Sequence, residues 1–205
     1  MEHLRDAIYP LLLEVFSADG QVIDGIYERN DSPSRLKEGL SQYKGWWTGT
    51  FSDENDLIVE STLTLPSTHV LATENGLKFH LDLENSQKTG FFLDQKYNRR
   101  AVRQLAQGRR VLDCFCHVGP FGLNAAAGGA EFVRCVDVSQ TAIDLARQNA
   151  GLNELADRMD FTCANVLEYL PKLAQDRTQL KAEGGPFDLI ILDPPAFTKT
   201  RDKVR

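Results

Sequence analysis

The segment RRVLDCFCHVGPFG at residues 109–122 starts with two arginines, continues as an apolar run that reaches Asp113, and then enters a loop containing two glycines. Three later segments repeat the apolar run, and helical patterns separate all four. Short, nearly all-apolar strands that alternate with helices are typical of a parallel sheet covered on both faces. We therefore predict an α/β fold here. The three later segments are EFVRCVDVS at residues 131–139, RMDFTCA at residues 158–164 and FDLIILDPP at residues 187–195.

Helix-capping residues support two of the intervening helices. Ser139 is a natural N-cap for a helix over residues 141–153. Asn165 and Glu168 form a capping-box pattern before a helix that Pro171 kinks or restarts.

The first 85 residues follow a different pattern. Apolar residues at helical spacing predict a helix over residues 2–17. Asn75-Gly76 lies before the alternating segment KFHLDL and predicts a hairpin with a type I′ turn. We expect a small α+β domain at residues 1–85 and a second domain at residues 86–205. Further strands are predicted within residues 22–31, 57–62 and 68–73.

Composition excludes several classes of protein. The chain has 205 residues, of which 42% are apolar and 25% charged, which is the balance of a globular protein. Its four cysteines form no spaced framework, and no apolar run approaches the ~20 residues of a membrane helix. The start, MEHLRDAIYP, lacks the layout of a signal peptide. We expect a cytoplasmic protein that is not inserted in a membrane.

Charge is unevenly distributed along the chain. The net charge is -6, yet residues 86–110 hold seven basic residues against Asp94 alone, and the last ten residues are also basic. A polyanion such as RNA could contact Arg99, Arg100 and Arg103, because binding to phosphates needs only a local patch. The alternative interpretation is a solvated helix face.

Acids or an amide follow the predicted strands at one edge of the sheet. These are Asp113, Asp137 and Asp193, with Asn165 after the third strand. Ligands of open α/β sheets bind at this edge, where Asp137 could accept hydrogen bonds from both hydroxyls of an adenosine ribose. Each residue alone could equally be a cap or a turn residue. Together they favour a nucleoside site.

The loop after the first strand favours one nucleoside ligand. A dinucleotide site needs the pattern G-x-G-x-x-G, whereas the bulky segment CFC occupies the position of the first glycine here. S-adenosylmethionine carries no phosphate and needs no such cradle. We predict this methyl donor in preference to a nicotinamide cofactor, with Gly119 and Gly122 allowing close approach of the backbone.

The segment DPPAF at residues 193–197 follows the fourth strand. Two prolines would hold the backbone rigidly beside the methyl group of the donor, and Phe197 offers a face on which a flipped base could stack. The alternative is that the prolines simply end the strand.

The order and spacing of these blocks resemble a known family. KTGFFLDQ at residues 88–95, Asn98-Arg99, VLDCFCHVGPFG, VDVS and LDPPAF resemble class I S-adenosylmethionine-dependent rRNA methyltransferases of the large-subunit cytosine-5 type, which contain a PUA domain. The resemblance implies a Rossmann-like sheet, S-adenosylmethionine as cofactor, large-subunit rRNA as partner, and no metal. It implies a base-side catalytic wall of Asp193, Pro194, Pro195 and Phe197. The donor-binding residues that it implies are Phe92, Asp94, Gln95, Asp113, Phe115, Cys116, His117, Gly119, Phe121, Asp137, Val138, Asn165 and Val166.

The sequence departs from that family in three respects. Asn165 stands where an acid is usual, no PUA-like segment comes before residue 1, and only four sheet strands follow residue 109. We expect a fragment whose nucleophilic cysteine lies beyond Arg205 and which is inactive alone. Cys135 and Cys163 are expected to be buried and inert, and the remaining two cysteines to pack at the donor loop.

Two alternatives in function stay open. A guanine-N7 rRNA methyltransferase shares the D-P-P-x-F ending and needs no cysteine, and a non-catalytic module could bind the donor or RNA without transferring a methyl group. The sequence leaves the oligomeric state open, a homodimer included.

Overall fold

The computed structural model describes residues 4–47, 67–85 and 90–195. The chain forms two units, the first from Met1–Val70 with Asp82–Gly90 and the second from Leu71–Leu81 with Phe91–Arg205. This partition differs from the predicted boundary at residue 85, because most of the predicted hairpin clusters with the second unit. One predicted strand, at residues 57–62, lies outside the described residues.

The first unit is organised around a buried carboxylate. Glu28 is 7% exposed and accepts hydrogen bonds from the hydroxyls of Tyr9 at 3.1 Å and Tyr43 at 3.0 Å. Such partners are required, since burying an unpaired carboxylate is costly. The elements are helix α1 (Arg5–Ala18), strand β1 (Tyr27–Asn30), helix α2 (Ser34–Lys37) and strand β2 (Tyr43–Trp46), with β1 and β2 antiparallel.

The hairpin consists of β3 (His69–Glu74) and β4 (Leu77–Asp82), which form a two-stranded sheet. Asn75 has φ 52° and Gly76 has φ 77°. Two successive positive φ values are what a type I′ turn requires, and asparagine and glycine adopt them at little cost. The predicted hairpin is confirmed.

The second unit contains a four-stranded parallel sheet with the strand order β7-β6-β5-β8. This confirms the predicted α/β fold. A 3₁₀ turn at Leu93–Gln95 leads into the first helix. The elements are α3 (Lys96–Leu105), β5 (Arg110–Cys114), α4 (Pro120–Ala127), β6 (Phe132–Asp137), α5 (Gln140–Leu152), β7 (Met159–Cys163), α6 (Val166–Gln175), α7 (Arg177–Ala182) and β8 (Leu189–Leu192).

Helices cover both faces of this sheet. On one face the side chains of β5 and β6 form a buried cluster with those of α6, and on the other face α4 packs closely on the same strands. A Cβ atom on Gly122 of α4 would lie 2.5 Å from the Cys135 sulfur, so only glycine fits there. The cluster consists of Leu112, Cys114, Val136, Val166, Tyr169 and Leu173.

Two asparagines of α5 bond to the backbone of β4. The amide of Lys78 donates to the side chain of Asn153 at 2.8 Å, and that of His80 donates to Asn149 at 2.7 Å. Residues four apart on a helix are separated by about 6.0 Å along its axis, and residues two apart on a strand by about 6.6 Å. The two spacings match, so the helix covers the edge of the hairpin that would otherwise be unpaired.

No helix within the described ranges is both long and apolar enough to cross a membrane.

Candidate functional site

The carboxyl ends of four parallel strands lie along one edge of the sheet. β6 and β7 follow β5 outward on one side, while β8 returns to the opposite side of β5. The direction of the chain connections therefore reverses at β5, and open α/β sheets bind ligands in the crevice beside such a reversal. Leu192 and Val136 both align with Cys114, so the segments that follow β8, β5 and β6 leave the sheet side by side.

The loop after β5 has an unusual backbone. Phe115 has φ 62°, His117 has φ 51° and Gly119 has φ 84°. A left-handed conformation costs a residue with a side chain roughly 1–3 kcal/mol and persists only where neighbouring groups hold it. Here the amide of Cys116 donates to the Val136 carbonyl at 3.1 Å. This loop, residues 115–119, is thus a fixed feature of the edge.

Asp137 lies at the end of β6 and holds two backbone segments. One carboxylate oxygen accepts from the amide of His117 at 2.9 Å, and the other accepts from the amide of Ser139 at 2.9 Å. Each oxygen of an ionised carboxylate has two lone pairs. The half-exposed carboxylate can therefore still accept one further hydrogen bond on each oxygen.

Asp113 differs from Asp137 in being completely buried. The residue is 1% exposed, and its carboxyl group accepts from the amide of Gly122 at 2.8 Å. Burial raises the pKa of Asp113 to about 8, the hydrogen bond from Gly122 opposes that shift, and the charges of Asp137 and Asp193 add to it. Asp113 therefore contacts the first turn of α4 from within the protein.

His117 presents an unpaired nitrogen at the loop. Its Nδ1 atom is buried and has no hydrogen-bond partner among the described residues. Its ring packs edge-on against Phe92, with centroids 5.9 Å apart. Burial lowers the pKa of His117 although Asp137 opposes the shift, so the imidazole is neutral near pH 7.

The end of β7 is shaped by a helix cap. The side-chain oxygen of Asn165 accepts from the amide of Leu167 at 3.1 Å, and its nitrogen donates to Glu168 at 3.1 Å. Asn165 thus begins α6, as the capping pattern predicts.

The comparison with protein families assigns the chain to a family. Residues 57–204 match the family model described as S-adenosylmethionine-dependent methyltransferase. The chain belongs to this methyltransferase family. The methyl donor of the family is S-adenosylmethionine, as the sequence predicts.

Curated relatives of this methyltransferase carry a ribosomal name. The chain is 37% identical over 201 residues to ribosomal RNA large subunit methyltransferase I of Shewanella amazonensis, which covers 98% of this chain and 44% of that protein. It is 41% identical over 177 residues to the protein of the same name in Aeromonas salmonicida, with 86% and 39% covered. The chain thus spans less than half the length of these relatives.

Solved methyltransferase structures share the fold. A candidate methyltransferase complexed with SAH superposes with a TM-score of 0.71 at 23% identity, over 100% of this chain and 45% of that one. A candidate SAM-dependent methyltransferase from Streptococcus mutans gives 0.69 at 24% identity, over 95% and 43%. These likenesses confirm the Rossmann-like methyltransferase fold.

The edge formed by the carboxyl ends of the four parallel strands, here called the strand-end edge, suits a nucleoside that carries no phosphate. Asp137 keeps two acceptor positions for adjacent ribose hydroxyls, and the orphaned Nδ1 of His117 offers one further polar atom. Gly119, whose φ is 84°, begins α4 together with Pro120, and no G-x-G-x-x-G turn is present in the sequence. The residues present fit the adenosine part of the donor.

The predicted site residues fall into three groups by exposure. Asp113, Cys116, Gly119, Phe121 and Val166 are buried, whereas Phe92, Gln95, Phe115, His117 and Asp137 are half-buried. Asp94, Val138, Asn165, Asp193, Pro194 and Pro195 are exposed, and Phe197 lies outside the described residues.

The cysteines of the methyltransferase differ in exposure. Burial raises the pKa of the Cys114 thiol to about 12, and a hydrogen bond with Cys135 together with burial raises the pKa of Cys116. The prediction for Cys135 is confirmed, since it is fully buried. The prediction for Cys163 is wrong, because this residue is the last of β7 and its side chain is exposed, donating to the Val138 carbonyl at 3.4 Å. Within the described ranges, no group of three or more potential ligands is placed to hold a metal ion.

Arg99 is not available to a nucleic acid, contrary to the hypothesis drawn from charge. It is 1% exposed, donates twice to the Glu74 carboxylate at 2.6 Å, and donates to the Phe92 carbonyl at 2.9 Å. Helix α3 therefore directs this cation inward. The neighbouring Arg100 is exposed and Arg103 half-buried.

Asn149 supports the loop at residues 115–119, and it was not identified as a site residue from the sequence. Its side chain donates to the Val118 carbonyl at 3.2 Å while accepting from His80. A buried asparagine in an amphipathic helix has no local pattern that marks it, and only its partners 31 and 69 residues away disclose its role.

Proposed function

We propose that this methyltransferase acts on a base of large-subunit rRNA and that the base is cytosine, methylated at C5. The observation that carries the proposal is the set of acids and prolines at the ends of adjacent parallel strands. The ribosomal names of the relatives add support, and the substrate class is carried over from them to this chain as part of the proposal.

The proposed roles follow from where each residue lies. The donor supplies an electrophilic methyl group when it is bound. Asp137 accepts from the ribose hydroxyls, and His117 and Phe92 line the adjoining wall. Asn165 and Val166 lie beside the adenine, with the side-chain oxygen of Asn165 as a potential acceptor for the exocyclic amine. Asp113 acts indirectly, since its buried carboxyl group fixes the start of α4 instead of contacting the ligand.

The base side of the site is assigned to the segment after β8. Asp193, Pro194 and Pro195 are exposed beside the end of β5, where proline restricts the backbone. Phe197 is proposed to stack on the flipped base. Together these residues form a wall for the base.

The nucleophile for C5 chemistry is proposed to lie beyond Arg205. C5 of cytosine accepts a methyl group only after a thiolate adds to C6. The thiols of Cys114, Cys116 and Cys135 have raised pKa values and are buried, which keeps them protonated and inaccessible. We therefore propose that this chain binds the donor but does not methylate cytosine alone. The domain division at residue 85, a cytoplasmic location and a homodimer stay predictions.

Product analysis tests the proposal. Donor carrying a labelled methyl group is incubated with large-subunit rRNA and either this chain or the full product of its gene, and the digested nucleosides are separated. We expect labelled 5-methylcytidine with the full product and none with this chain. Labelled 7-methylguanosine would instead establish the guanine-N7 alternative. Donor binding without transfer by either protein would establish a non-catalytic module.

A further inference from the structure

A polar cleft lies at the C-terminal end of α4, and the loop at residues 115–119 lies at the other end of this helix. Its volume is about 720 Å³, which is within the ~300–1,000 Å³ of typical ligand sites. The turn of the β3–β4 hairpin, one face of α3 and the last turn of α4 enclose it. The side chains that matter below are those of Asn75, Arg100, Arg103, Gln104 and Gln107.

The lining of the cleft suits an anion. It contains two guanidinium groups and three carboxamides, and no carboxylate is among the residues that line it. This is unusual in a chain with a net charge of -6. The nearest acid in sequence to Asn75 is Glu74, which is buried and fully engaged by Arg99.

The two arginines differ in how they are held. Arg103 donates from Nη1 to the Asn75 carbonyl at 2.7 Å, which fixes its guanidinium and leaves its other N–H groups available to a ligand. Arg100 lies one turn earlier on the same face of α3 and is exposed. Gln104 continues that face and Gln107 lies just after the end of α3, so four donors line one wall.

The floor of the cleft is a close approach of two helices. A Cβ atom on Gly129 would clash with the side chain of Gln107, and one on Gly128 would clash with the Arg103 carbonyl. The missing side chains let α3 and the end of α4 meet, and the amide of Gly108 donates to the Gly129 carbonyl at 2.8 Å. The wall that carries the four donors is therefore held in place by its packing against the end of α4.

We infer that this cleft binds the phosphodiester backbone of the RNA substrate, an inference that rests on the proposed function. Helix α4 has eight residues and is about 12 Å long, with the strand-end loop at its start and the cleft at its end. Roughly four stacked nucleotides at about 3.4 Å each cover that distance. A strand whose target base enters the strand-end edge can place a neighbouring phosphate between Arg100 and Arg103.

The test measures the salt dependence of RNA binding by this chain. A labelled single-stranded RNA is titrated between 50 and 200 mM chloride (about the range over which phosphate contacts show). Arg100→Gln is expected to weaken binding several-fold at the lowest salt and to flatten the slope of log K by about 0.7. Gln104→Lys, which adds a charge to the same wall, is expected to tighten binding and steepen the slope by a similar amount.

The matched control is Arg177→Gln, which removes the same charge from an exposed position on α7 outside the cleft. It is expected to leave the slope unchanged. Inorganic phosphate at equal ionic strength is expected to displace RNA no better than chloride. Strong displacement would mean that the cleft serves free phosphate and would overturn the assignment to RNA.

A calorimetric titration with S-adenosylmethionine separates this inference from the proposed function. We expect all three variants to keep the donor affinity of the unaltered chain. If Arg100→Gln and Gln104→Lys both leave RNA binding unchanged, the cleft does not bind RNA, and the proposed function is unaffected. A chain that binds the donor but no RNA would also refute the cleft. Loss of donor binding in the unaltered chain would count against the proposed function alone.

Discussion

Replacing Asp137 with alanine tests the donor site directly. The structure gives this carboxylate two amide partners and leaves two acceptor positions open, so Asp137→Ala removes the proposed acceptors of both ribose hydroxyls. A hydrogen bond to a charged group contributes about 1.5–3 kcal/mol. Losing even one should raise the Kd for S-adenosylmethionine roughly 10- to 150-fold, since about 1.4 kcal/mol corresponds to a factor of ten.

Calorimetry measures this Kd, and Asp144→Ala is the matched control. Asp144 is an exposed carboxylate on α5 whose side chain is 52% exposed, so its removal changes the net charge equally and should leave the Kd unchanged. An unaltered Kd in a folded Asp137→Ala protein would refute the assignment to ribose.

A second ligand separates contact with the ribose from support of the loop. Asp137 also holds the amide of His117, so its loss could weaken binding by loosening the loop. The unaltered protein should prefer the donor over its 2′-deoxy analogue, and Asp137→Ala should abolish that preference. If both ligands weaken equally, Asp137 acts through the loop alone.

Three further predictions concern stability. Gly122→Ala should destabilise the fold by about 1–3 kcal/mol in urea, since its Cβ would meet the Cys135 sulfur at 2.5 Å, whereas Gly151→Ala, with open space on its helix, should be neutral or stabilising. Arg99→Met should cost about 3–5 kcal/mol because it leaves a buried carboxylate unpaired, and a loss below 1 kcal/mol (about the worth of an exposed pair) would contradict this. Because burial raises the pKa of Asp113 to about 8, the folded state binds a proton that the unfolded state has released, so the free energy of unfolding should fall as pH rises from about 4 to 8. Asp113→Asn should remove that decline. If the free energy of unfolding of the variant falls with pH in parallel with that of the unaltered protein, Asp113 is not the group responsible.

The parallel sheet was predictable because its strands carry their pattern locally. Each of the four strands from β5 to β8 is short and mostly apolar, and each is followed by a polar residue or a loop. Once the strands are parallel, their carboxyl ends must share one edge, which brings Asp137 and Asp193 to the same side. The candidate site follows from topology alone.

Strand β2 was not predictable in the same way. The segment YKGW at Tyr43–Trp46 is short, contains Gly45 and shows little alternation. It forms a strand because Tyr27–Asn30 pairs with it, with Tyr27 opposite Trp46 and their rings 5.1 Å apart. The cross-strand partner decides the conformation, and no local pattern encodes it.

Long-range pairing also explains the incorrect prediction for Arg99. Seven basic residues within residues 86–110 suggest a solvent-facing surface, yet one of them is neutralised by Glu74, which is 25 residues away. Charge density along a sequence counts groups irrespective of direction. A helix of ten residues has faces that point both inward and outward, so only some of these cations reach solvent.

The asparagines of α5 have a consequence for motion. Asn149 bonds at once to the hairpin through His80 and to the strand-end loop through Val118. Opening of the loop must therefore break the hydrogen bond from Asn149 to the Val118 carbonyl. The same side chain protects the amide hydrogen of His80 from exchange with solvent. A ligand seated on the loop stabilises the closed form, so deuterium uptake at His80 and at Lys78 should slow together upon donor binding. The exchange rate of a hairpin amide becomes a remote reporter of whether the methyl donor is present.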